Sequence, residues 1–199
     1  MKIILSVRLE ESILFSLKTF VHSKLNRILV SKDTSQNYVD GTYLLSNIPQ
    51  VILEFNINDK IEYLHVTCEE VFSFESLDAK ALNLNKLLFL PDNIVHLFEL
   101  YEVVDSFDFY YEIDEFVKVD NEFARKFINR ELLSGKLNSI GIELFSGLLI
   151  KLHNSNEILI NKLDYAGNSI QVNANPDAIK NSINSLKFIE YSKLIECME

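Results

Sequence analysis

Apolar positions recur at helical spacing in several stretches of the chain. Ile13, Leu14, Leu17, Phe20, Val21, Leu25, Ile28 and Leu29 fall on one stripe, which predicts a helix over residues 10–30. Ser76 is placed to cap a second helix running from Leu77 towards Phe89, which Pro91 ends. Ile94, Val95, Leu97, Phe98, Leu100, Tyr101 and Val104 predict a third, with Asp92 or Asn93 as its cap. Asp120 caps a fourth, residues 121–133, closed by Ser134-Gly135. Asn175-Pro176 opens a last helix whose stripe runs on to Leu194 and Ile195.

Other stretches alternate with a period of two or are bounded by turn residues. Residues 2–9 read as a first strand. Asp40-Gly41 separates Tyr38-Val39 from Thr42-Tyr43-Leu44, and Asn58-Asp59-Lys60 separates residues 51–57 from 61–74, so two hairpins are expected. Residues 107–113 alternate, with Phe107, Phe109, Tyr111 and Ile113 on one side. Strands near 140–153, 157–164 and 169–174 follow, joined by Asn154-Ser155-Asn156 and Ala166-Gly167-Asn168, which predicts an antiparallel meander. Ser146-Gly147 inside the first of these marks a kink or bulge. Together the pattern predicts an α+β fold. A mostly antiparallel sheet of hairpins and meander would pack against N-terminal, central and C-terminal helices. No linker, repeat or low-complexity segment interrupts it, so residues 1–199 are read as a single α+β domain.

Charge changes this picture more than composition does. The net charge of −10 is not spread evenly. Residues 54–122 hold 17 acids against four lysines, a net of −13, while residues 1–53 carry +2 and residues 123–199 carry +1. Between Lys86 and Lys118 there is no base at all. That stretch carries Glu99, Glu102, Asp105, Asp108, Glu112, Asp114 and Glu115 among aromatic residues. On the predicted helix, Glu99, Glu102 and Asp105 share a face. On the predicted strand, Asp108, Tyr110, Glu112 and Asp114 point to one side. Like charges at this spacing repel. An acidic face that only keeps the chain in solution is the plain alternative. An acidic face with a tyrosine at its centre also suits a basic protein partner, steered by charge and anchored by the ring. The expected partner-binding residues are Glu99, Glu102, Asp105, Asp108, Tyr110, Glu112, Asp114 and Glu115.

Catalytic signatures are missing. The four histidines are scattered, and His65 with Cys68 has no second pair to complete a zinc site. His96 reads as a helix-surface histidine near Asp92. There is no phosphate loop and no nucleophile elbow. Asp105, Asp108, Glu112 and Asp114 could gather Mg²⁺ or Ca²⁺, but no calcium-loop pattern appears and Lys118 is the sole nearby lysine. No metal or cofactor is therefore expected. Cys68 and Cys197 do not form a paired motif. The acidity disfavours nucleic-acid phosphates and anionic lipid as direct partners. No apolar run reaches the ~20 residues of a membrane span, and Arg8 cuts short the apolar start, so a cytoplasmic protein is expected.

In general character the chain resembles the immunity proteins of bacterial toxin systems: small, acidic, cytosolic, α+β and without catalytic motifs. That resemblance implies a non-enzymatic interaction protein that binds and neutralises a basic protein partner such as a toxin domain. It rests on type and covers no defined residues. Two other classes are left open: a carboxylate- and divalent-metal-dependent hydrolase or nuclease, and a structural or adaptor subunit of an oligomer.

Overall fold

Strands dominate the structure, a computed structural model that describes residues 2–6, 11–67, 71–74, 82–84, 87, 89–106, 139–163, 169–184 and 187–190. The strands are β1 (Lys2–Ser6), β2 (Lys24–Val30), β3 (Ser35–Val39), β4 (Thr42–Ser46), β5 (Val51–Ile57), β6 (Lys60–Val66), β7 (Val71–Phe74), β8 (Leu82–Asn83), β9 (Asp92–Ser106), β10 (Ser139–Leu152), β11 (Glu157–Lys162), β12 (Ser169–Asn173) and β13 (Lys187–Glu190). Two short helices, α1 (Glu11–Phe20) and α2 (Pro176–Ile183), complete the described elements.

Contacts divide the chain into two compact units. The first comprises Met1–Arg8 and Glu102–Leu144. Within it β1 pairs in parallel with the start of β10, Lys2 opposite Ser139 and Ser6 opposite Glu143. The second comprises Leu9–Tyr101 and Phe145–Glu199 and holds most of the sheet. The strand order is β3-β4-β12-β11-β10-β9-β2-β5-β6-β7, with β8 added beside β2 and β13 beside β9.

Two hairpins follow from local chemistry. Asp40 and Gly41 take φ of 48° and 85°, and Val39 pairs with Thr42 across them. Asn58 and Asp59 take φ of 50° and 65° between Ile57 and Lys60. Positive φ at both central residues is the mirror-image turn whose twist matches paired strands, and Gly, Asn and Asp tolerate it best. The meander β10-β11-β12 also forms as expected, with Leu149 opposite Leu159 and Ile160 opposite Val172.

Side chains alternate between two cores in the second unit. Leu148, Ile150, Ile158, Ile160, Ile170 and Val172 join Leu25, Ile28, Leu53, Phe55, Leu64 and Val66 in one large cluster, to which α1 adds Leu17 and Phe20. Leu149 and Leu159, on the opposite face by the period of two, join Phe98, Leu100 and Ile179 in a second cluster covered by α2. Asn175 caps α2, its Oδ1 accepting from the backbone N–H of Asp177 at 3.0 Å and of Ala178 at 3.4 Å.

The expected α+β fold with packed N-terminal, central and C-terminal helices is overturned: the described residues form mostly antiparallel sheet. The helix expected over residues 10–30 stops at Phe20. Ser23 Oγ donates to the Phe20 carbonyl at 2.6 Å, and His22 enters the left-handed region at φ 69°. β2 then begins. Its register shifts between Leu25 and Arg27, so Asn26 is an extra residue and the core positions fall at 25, 28 and 30. A bulge thus reproduces the three-residue step of a helix.

The third predicted helix is β9. Ile94, Leu97 and Tyr101 enter the large core while Phe98 and Leu100 enter the second. A strand buried on both faces has no reason to alternate strictly, and its apolar residues, interrupted at His96, Glu99 and Glu102, mimic a helical stripe. The helix expected to reach Phe89 fails at Leu82–Asn83, which pairs with Leu29 and Val30 as β8. The final helix ends at Ile183, and Lys187–Glu190 pairs with Phe98–Tyr101. Within the run 61–74, residues 61–66 belong to β6 and Val71–Phe74 form a separate strand, β7, that pairs antiparallel with it. The strand expected at 107–113 and the helix at 121–133 lie outside the described residues.

Candidate functional site

The acidic stretch begins on β9, and the structure places its first members differently from one another. The helix face expected to bring Glu99, Glu102 and Asp105 together does not exist, because the segment is extended. Glu99 is 2 % exposed, so it is removed from any surface offered to a partner. Tyr101 Oη donates to Glu99 Oε2 at 2.7 Å, and both residues are buried. Such alternate residues on a strand share a face. Glu102 and Asp105 belong to the last part of β9, inside the first unit. Asp108, Tyr110, Glu112, Asp114 and Glu115 lie outside the described residues.

A second buried carboxylate sits on β5. Glu54 is opposite Arg27 of β2 and Tyr63 of β6. Arg27 Nε donates to Glu54 Oε1 at 3.0 Å, and Nη2 bonds the other oxygen. The Glu54 side chain is 7 % exposed while that of Arg27 is 52 % exposed, so a guanidinium open to water closes over an enclosed carboxylate. The hydrogen bond to Glu54 holds the Arg27 guanidinium above its ordinary range. This fork-shaped pairing satisfies both carboxylate oxygens and leaves a structural tie between strands. In the sequence Glu54 counts among the surplus acids, because its partner is 27 residues away and only strand register joins them.

His65 lies on the same outer side of this part of the sheet, two residues from Tyr63, and is buried. Gln50 Nε2 stands 2.8 Å from its Nδ1. The direction of this hydrogen bond follows the tautomer of the ring. Burial also lowers the His65 pKa. His96 is on β9 and not on a helix surface, half-buried with its ring 6.0 Å from that of Phe98. Cys68, the other half of the weak zinc pattern, lies outside the described residues.

Among the described residues no group of three or more His, Cys, Asp or Glu is arranged to hold a metal ion. None of their helices is long and apolar enough to cross a membrane. The two buried carboxylates are each engaged by a donor, so their chemistry is that of interior hydrogen-bonded groups. No protein-family model, curated protein or solved structure matches the chain.

Proposed function

We propose that this chain is a non-enzymatic interaction protein that binds and neutralises a basic protein partner, in the manner of the bacterial toxin-immunity proteins, which it resembles in small size and acidity. The observation that carries the reading is the distribution of charge: a net of −13 over residues 54–122, with no base between Lys86 and Lys118. A concentrated field of one sign raises the encounter rate with a partner of the other sign. Bound to the functional groove of a basic toxin domain, it would exclude the toxin's own polyanionic substrate. Glu99, being buried, is left out of the contact set. Glu102, Asp105, Asp108, Tyr110, Glu112, Asp114 and Glu115 make it up, with Tyr110 as the apolar anchor within the charged rim. On this reading the protein works in the cytoplasm.

The test is purification from the native host with any bound partner, followed by binding assays on a chain carrying Glu112→Lys and Asp114→Lys. A partner of net positive charge is expected, with association slowed at least about tenfold at low salt by the reversals and slowed less at high salt. Equal binding of the reversed chain at low salt overturns the proposal.

A further inference from the structure

We draw no further inference here: the strongest candidate, the exposed Ile48 at the tip of the loop between β4 and β5, held at φ 59° with its carbonyl accepting from Thr34 Oγ1, is an apolar projection for which nothing in the structure shows what covers it.

Discussion

Tyr101 and Glu99, two residues apart on one strand, are joined inside the protein by a 2.7 Å hydrogen bond from phenol to carboxylate. The Tyr101 ring also meets Phe145 edge-on, at 80° and 6.3 Å. Replacing Tyr101 by Phe keeps that packing and removes only the donor. Tyr101→Phe is expected to lower stability by about 1–3 kcal/mol, the loss of a buried hydrogen bond to a carboxylate. Denaturant unfolding measures it. Because Glu99 is enclosed, Glu99→Gln should change stability without altering the salt dependence of partner binding. A clear effect on salt dependence would return Glu99 to the surface.

The Arg27–Glu54 pair predicts an asymmetry between single and double substitutions. Arg27→Met strands the enclosed Glu54 carboxylate and should cost about 2 kcal/mol. Arg27→Met with Glu54→Met removes both charges and should recover most of that loss. Thermal or urea unfolding of the four chains of the cycle gives the coupling directly. Additive losses would mean that the two side chains do not act as a pair.

Two glycines are needed for different reasons, and alanine separates them. A Cβ on Gly147 would lie 1.9 Å from the Ile160 carbonyl oxygen and 2.6 Å from Asn161 Cα. Backbone atoms in a paired strand have nowhere to go, so Gly147→Ala should cost about 3 kcal/mol or more. At Gly41 the nearest contact would be an ordinary 3.6 Å to Asn175 Cβ, and only the φ of 85° resists. Gly41→Ala should cost about 1–2 kcal/mol. Equal midpoint shifts for the two variants would contradict the close approach of β10 and β11.

His65 gives the fold a pH dependence of definite sign. Its folded pKa lies below the ordinary 6.5, so in the interval between the two values the unfolded chain binds more protons. Stability from this residue is complete above about pH 6.5 and is lost as the pH falls through the folded value. His65→Gln keeps a hydrogen-bonding side chain beside Gln50 without a titrating ring. Unfolding at pH 7.5 and pH 5 should show the original chain losing more stability than the variant; parallel losses would exclude His65 as a cause.

The elements legible in the sequence are those with local causes. Asp40-Gly41 and Asn58-Asp59 suit positive φ by themselves, so both hairpins could be placed. Asn175-Pro176 marked the start of α2 because cap and proline act within one turn. The β10-β11-β12 meander was readable from its short polar turns. The glycine inside the apolar run of β10 suggests a kink or bulge, whereas the structure shows regular pairing with a close backbone approach at Gly147.

Other segments were misread because long-range pairing decided them. Leu25 and Ile28 sit three apart through a bulge whose only cause is the register of β2 against β5. The apolar run of β9 fits a helix as well as a strand until both of its faces are known to be covered, by the large core on one side and by Leu149, Leu159 and Ile179 on the other. The candidate site divides in the same way. Glu99 and Glu102 look alike in a count of charge, but Glu99 is drawn inside by its position on β9 and engaged there by Tyr101.

By itself the sequence determined where the charge lies and where the chain turns, since both depend on residue identity and its nearest neighbours. The tertiary structure alone decided which apolar runs became strands and which acids were enclosed. Strand pairing satisfies the backbone hydrogen bonds of residues far apart in the chain, and burial of both faces then outweighs the local helical preference.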